Sequence, residues 1–386
     1  MRSEMRVLAL WVGVWAAAVG AAGPVAGGRK LAVAPAPAPT VDRGTLVVAP
    51  EAPSAVSGGA LVVAPAPAPV VGGGTLVVAP VVDGGKLAVD VTMGGARRHL
   101  VTALGGEAWR RGMRGVYDAL DEGGYDAAAL DPELERLGAA LFGRLDAELA
   151  GCGEVQFVVP AGELRQPLDL LHWRGRPLYL ARAVGYAVGS AVGAGGAPEK
   201  PGRWATAVLV SDATADPEDG VGACRKYWAR VTYAKAGGVT RKRLRRMRGD
   251  VLLVSAHGSV GDADRDTIAA GGGGRDTIGL AEDLEGRDFA AVGARLVYLD
   301  SCGLGVSGAF LEALRAKGTQ WYLAPIVSNE AGDSSTATMK GFFAELGARG
   351  PVGALFETRK KLAQTYAGAG KDLLWKVFPF RCYRLR

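Results

Sequence analysis

Six apolar runs constrain what this chain can fold into: 155–160 (VQFVVP), 204–211 (WATAVLVS), 251–258 (VLLVSAHG), 295–302 (RLVYLDSC), 321–328 (WYLAPIVS) and 377–385 (VFPFRCYRL). Several are apolar at almost every position, which is how strands buried on both faces of a parallel sheet read. Helical stretches at 222–230, 240–248, 308–317, 334–346 and 352–366 separate them. Two more, 109–120 and 132–149, come first, and the second carries Leu134, Leu137, Leu141 and Leu145 on one face. Alternation of this kind predicts an α/β domain over 96–386, with helices on both faces of a mainly parallel central sheet.

The chain before residue 96 reads differently. Of 386 residues, 58 are Gly and 20 are Pro, about a fifth against a usual share of roughly 12%. From 29 to 95 the sequence repeats itself: KLAVAPAPAP, TLVVAPEAPS, ALVVAPAPAP, TLVVAPVVDGG, KLAVDV. Proline fixes φ and cannot donate to a ladder, so the repeats predict a disordered, PPII-like tether in which only KLAVDVTM is a strand. Residues 1–28 hold a short basic start and an apolar run too short for a comfortable membrane span. With Gly20, Ala21 and Ala22 behind it, the run reads either as a secretory segment with its cleavage site or as an unstructured Ala-rich start.

Composition excludes other classes. Lys+Arg 45 against Asp+Glu 39 gives +6, well short of a dedicated nucleic-acid binder. The densest positive run, TRKRLRRMR at 240–248, reads as an exposed helix capped by Thr240 with Leu244 and Met247 turned inward. Cys152, Cys224, Cys302 and Cys382 stand far apart with no CxxC pair, and His99, His172 and His257 are the only histidines. Neither a zinc knuckle nor a disulfide framework is expected, and no metal or organic cofactor. His172 reads as a packing residue, and Trp173 and Tyr179 as core or turn residues.

Two strands run into reactive side chains: VLLVSA into His257-Gly258, and RLVYLDS into Cys302-Gly303. In open parallel sheets functional groups gather at the carboxyl ends of strands, so neighbouring strands would bring the two together. An imidazole beside a thiol takes its proton and leaves a nucleophilic thiolate. The amides of Gly258 and Cys302 can face one developing oxyanion. Alone, Cys302 reads as a core thiol; the paired strand ends, each followed by Gly, favour the catalytic reading.

The blocks GELRQPLDLLHWRGRPLYL, DVLLVSAHG, LVYLDSCGLG, APIVSNEAGDSSTATMKGFFAEL and PVGALFETRKKL, in that order, resemble the CHAT proteins. These are bacterial caspase-like peptidases related to caspases, metacaspases and separase. The resemblance covers roughly 96–386 and implies a caspase-like sandwich, with His257 as general base, Cys302 as nucleophile, and the Gly258 and Cys302 amides as oxyanion donors. It implies a protein or peptide substrate, a cytoplasmic location and a regulated proteolytic response. Many relatives have Ala-Cys-Glu in the cysteine block; this chain has Asp300-Ser301-Cys302-Gly303, closer to metacaspases, whose acid two residues before the cysteine helps bind a basic P1 side chain. Asp300 reads as that acid or as a solvated strand-end carboxylate. Glu330 and Asp333 are the other candidates for a substrate-binding acid, and Asp333 reads foremost as a helix N-cap.

Two other readings compete: a non-catalytic caspase-like scaffold or adaptor, and nucleotide binding. Gly303-Leu304-Gly305-Val306-Ser307-Gly308 matches GxGxxG after a strand, with Glu330 following 22 residues after Gly308. The chain carries no repeat array or sensor of the kind often fused to CHAT relatives. Activation is therefore expected from a separate protein or from self-cleavage, with Arg265 and Arg275 in the duplicated RDTI loop as candidate sites. No nucleic-acid partner and no stable membrane span are expected, with export through the N-terminal segment as the alternative location.

Overall fold

The computed structural model describes residues 74–123, 126–189, 204–261 and 276–386. Expectations for the apolar start, for the repeats before residue 74, and for Arg265 and Arg275 lie outside the described residues.

Eleven strands form one mixed sheet: β1 Thr75–Asp83, β2 Lys86–Met93, β3 Ala96–Gly105, β4 Glu154–Val159, β5 Ala183–Val188, β6 Thr206–Ser211, β7 Arg230–Lys235, β8 Val251–Ser255, β9 Leu296–Asp300, β10 Trp321–Pro325 and β11 Phe380–Arg384. Their order is β3-β2-β1-β4-β5-β11-β10-β9-β8-β6-β7. The pairings β1–β2, β2–β3 and β10–β11 are antiparallel; the others are parallel. All six apolar runs of the sequence lie in this sheet.

Side chains alternate between two cores. Val208, Val210, Leu252, Val254, Val297 and Leu299 join one, together with α1 (Gly106–Asp121), α2 (Ala127–Phe142) and α3 (Gly308–Ala316). Ala207, Leu209, Val251, Leu253, Leu296 and Tyr298 join the other, packed by Met339, Phe342, Phe343 and Leu346 of α4 (Asp333–Thr365). Both faces of each central strand are thus buried, which is why these strands are apolar throughout. The break expected between two helices near 350 is a kink within α4, at Gly350 (φ 68) followed by Pro351. The helix expected over 132–149 ends at Phe142 with Gly143 as its C-cap, and a short helix, Asp146–Gly151, follows.

One boundary differs from the sequence reading. The expected tether, 29–95, gives up its last part to the sheet: KLAVDVTM is β2, as expected, and β1, read as tether, precedes it. Gly84-Gly85 and Gly94-Gly95 all have positive φ and close two-residue hairpins, from Asp83 to Lys86 and from Met93 to Ala96. The domain start placed at 96 therefore falls at the second hairpin. Pro80 is tolerated in β1 because pairing with β4 ends at Val78. Leu76, Val78, Leu87 and Val89 are buried against α1 and α2, so this meander belongs to the main core.

Candidate active site

Strands β6, β8 and β9 end in one register row, Ser211 beside Ser255 beside Asp300. The ladder runs one step further: the Asp212 amide donates to the Ser255 carbonyl (2.9 Å), and the Ala256 amide to the Asp300 carbonyl (3.2 Å). His257 and Cys302 each stand two residues past that row on adjacent parallel strands. Gly258 fixes how closely they approach. A Cβ on Gly258 would lie 2.8 Å from the Cys302 carbonyl oxygen and 3.0 Å from the Cys302 nitrogen. Only glycine lets the two turns lie backbone against backbone.

His257 is exposed and Cys302 half-buried, so both are accessible from one end of the sheet. The other three cysteines are buried. Burial pushes the Cys224 thiol up to about 12 and raises Cys152 and Cys382 as well, so none of these is a candidate nucleophile. Among the described residues no hydrogen bond joins Cys302 to His257 directly, and each reactive group has its own partner. The Cys302 thiol donates to Asn329 Oδ1 (3.7 Å), and Asn329 Nδ2 donates to Asp300 Oδ1 (2.6 Å). His257 Nε2 lies 2.9 Å from Thr214 Oγ1, and that hydroxyl donates to Asp212 Oδ1 (2.6 Å). The Cys302 amide donates to no acceptor among the described residues.

Asp300 is not a solvated strand-end carboxylate. It is buried and accepts from Ser255, Ser335 and Asn329. Desolvation lifts its carboxyl to about 6 against these three donors, with repulsion from Asp216 adding to the rise. Asp216 is buried too and accepts from the Ser211 hydroxyl and the Gly220 and Val221 amides. Neither carboxylate makes an ion pair with Lys or Arg among the described residues. Nearby, the Thr336 hydroxyl is buried without a partner; a Cβ on Gly220 would lie 2.8 Å from it and 3.2 Å from Asp216 Oδ1.

Glu330 and Asp333 lie on the loop and helix start that follow β10, where Lys376 bridges them at 2.7 and 2.9 Å. Asp333 is not the helix N-cap: Gly332 precedes α4, and the Asp333 carboxylate turns to Tyr366 (2.6 Å) and Lys376. Both acids are thus already matched by a cation of the chain itself.

The glycine-rich turn is filled from inside. A Cβ on Gly305 would lie 2.7 Å from the Ala324 carbonyl oxygen and 2.8 Å from that of Pro325. Ser307 caps α3, accepting from the Phe310 amide (3.1 Å), and its hydroxyl donates to Asp276. A carboxylate of the protein thus stands at the helix start where a pyrophosphate would need to lie. His172 is buried, its backbone set against Gly138 of α2 and its ring nitrogens 3.8 Å from Asp131 and Glu135 carboxylate oxygens. Thr240 caps its short helix and Leu244 is fully buried. No cluster of three His, Cys, Asp or Glu side chains suited to a metal exists among the described residues, and no described helix is long and apolar enough to cross a membrane.

Sequence reasoning missed Asp212, Thr214, Asp216, Ser255 and Asn329. A signal existed for Ser255, which precedes His257 by two residues as Asp300 precedes Cys302. Thr214 and Asn329 sit on loops, where spacing carries no such mark. The sequence matches no protein-family model and no curated protein.

Proposed function

We propose that this protein is a caspase-like cysteine endopeptidase that cleaves after Arg or Lys. The close approach of Gly258 to the Ser301–Cys302 peptide supports this reading best, because it brings together the two backbone turns that carry His257 and Cys302 at one end of the parallel strands. The block order of the CHAT resemblance agrees with it.

In this reading His257 takes the thiol proton and Sγ attacks the scissile carbonyl carbon. The carbonyl oxygen gains negative charge facing the Cys302 and Gly258 amides. Collapse of the tetrahedral intermediate breaks the C–N bond, and the imidazolium gives its proton to the leaving amine. Water, deprotonated by the same imidazole, then cleaves the thioester to a carboxylic acid and restores the thiol. No metal or organic cofactor takes part in these steps.

The basic preference rests on Asp300 and Asp216. Two buried carboxylates with no ion pair among the described residues are costly, and the Thr336 hydroxyl, without a hydrogen-bond partner among those residues, lies near Asp216. A guanidinium or ammonium at P1 would neutralise the carboxylates and satisfy the hydroxyl. Glu330 and Asp333, held by Lys376, are left out of this preference. A peptide library incubated with wild type and Cys302→Ala tests the reading: cleavage after Arg and Lys, abolished in the variant, is expected. Undiminished cleavage by Cys302→Ala would refute it.

A further inference from the structure

We propose that Thr214 and Asp212 act in series as positioning residues for His257, holding the ring by Nε2 so that Nδ1 is the nitrogen left to take the thiol proton. The inference rests on the dyad reading above and deepens it.

A threonine hydroxyl has one proton to give, and Thr214 gives it to Asp212 Oδ1 at 2.6 Å. The hydroxyl oxygen can then meet His257 Nε2, 2.9 Å away, only as an acceptor. The ring therefore carries its proton on Nε2, and Nδ1 keeps the free lone pair. Asp212 is suited to the far end of this chain. Burial works to raise its carboxyl, but the Thr214 hydroxyl and amide and the charge of His257 outweigh that and hold it below the ordinary aspartate value.

The base of the relay is rigid. Asp212 directly follows β6, its amide tied to the Ser255 carbonyl of β8, the strand that leads to His257. The Thr214 amide donates to Asp212 Oδ1 at 2.8 Å, closing a tight side-chain turn, and the Asp216 amide donates to the Asp212 carbonyl at 2.7 Å. His257 itself is exposed, and among the described residues Thr214 is the hydrogen-bond partner of its ring. An exposed general base needs such a hydrogen-bonded anchor to keep one tautomer and one orientation. The negative charge of Asp212, reached through one hydroxyl, also stabilises the imidazolium that forms when the thiol is deprotonated.

The test uses Thr214→Val, Thr214→Ser, Asp212→Asn and the Thr214→Val/Asp212→Asn double variant, with Thr214 exposed enough for each to fold. On an Arg-containing peptide, Thr214→Val is expected to lower kcat roughly 10–100-fold with KM nearly unchanged, and Thr214→Ser to recover most of the loss. Because the two residues act in series, the double variant should lose about as much as the worse single one. A second readout needs no activity: NMR titration of the His257 ring in Cys302→Ala protein, where His99 and His172 are the only other histidines. Its midpoint is expected to fall by roughly 0.5–1 unit in Thr214→Val and in Asp212→Asn. Wild-type kcat and an unmoved midpoint in Thr214→Val, or losses that multiply in the double variant, overturn the relay and leave the dyad standing. Full activity in Cys302→Ala overturns the peptidase reading, and the titration still decides whether the relay exists.

Discussion

The sheet has two unlike ends. Around β8 and β9 the strands are parallel, paired on both sides and buried on both faces, and polar side chains are pushed out to the row Ser211, Ser255, Asp300 and beyond. At the other end β1, β2 and β3 form an antiparallel meander whose last strand, among the described residues, pairs on one side only and leaves Arg97, Arg98 and His99 exposed. The candidate site residues His257 and Cys302 follow strands that are paired on both edges. Reacting atoms must hold position within a fraction of an ångström, and a strand held by neighbours on both edges supplies that. The meander adds core without adding reactive groups.

If the central end is the catalytic one, the largest effect should follow from His257→Ala, expected to lower kcat/KM on an Arg peptide by roughly 10²–10⁴-fold with the melting midpoint preserved. Unchanged turnover would erase the functional difference between the two ends. Glycine substitutions compare the ends directly. Gly258→Ala forces a Cβ onto the Cys302 backbone and should cost at least about 10-fold in kcat/KM, since small misplacements of reacting groups are costly. Gly105→Ala, at the end of β3 with open space around it, should leave activity at the wild-type level. Equal effects of the two substitutions would contradict the comparison.

The meander's share in the fold can be measured by urea unfolding. Leu76 of β1 is fully buried, and Leu76→Ala is expected to destabilise the protein by about 2–5 kcal/mol. Val101 of β3 is 42% exposed, and Val101→Thr should change stability by no more than about 0.5 kcal/mol. A negligible loss in Leu76→Ala would return β1 to the tether that its repeats suggested. The smallest effect concerns pH. Burial raises Asp300 from 3.8 to about 6, so the folded protein holds that proton more tightly than the unfolded chain. The stability this group contributes is full below its unfolded value and is lost as pH rises through about 6. The melting midpoint of Asp300→Asn relative to wild type should therefore rise between about pH 4 and pH 6 and level off above that; a constant difference across this range would contradict the buried setting of this carboxylate.

How far the sequence was legible follows the same division. The central strands were readable because double burial writes itself as unbroken apolar runs, and His257 and Cys302 because they end such runs. β7 (RVTYAK) alternates at an open edge, and β5 (AVGYAV) is short and interrupted by glycine, so neither stands out. In β1 the repeat and its proline masked a strand, although Gly84-Gly85 and Gly94-Gly95 between apolar runs were a hairpin signal of known chemistry. Thr214 and Asn329 meet partners 43 and 27 residues away from within loops, and no periodicity connects such positions. Asp300 was legible as an acid, but its three hydroxyl and amide partners come from three different elements.

The pairing of sulfur and imidazole is most directly tested by the rate at which a small alkylating reagent modifies Cys302 near pH 7, in wild type and in His257→Ala, followed by intact mass. Cys152, Cys224 and Cys382 are buried and should stay unmodified in both. If His257 takes the thiol proton, alkylation should be at least about 10-fold slower in the variant. Equal rates in the two proteins would mean that the two groups do not work together, and the account would be contradicted at its centre.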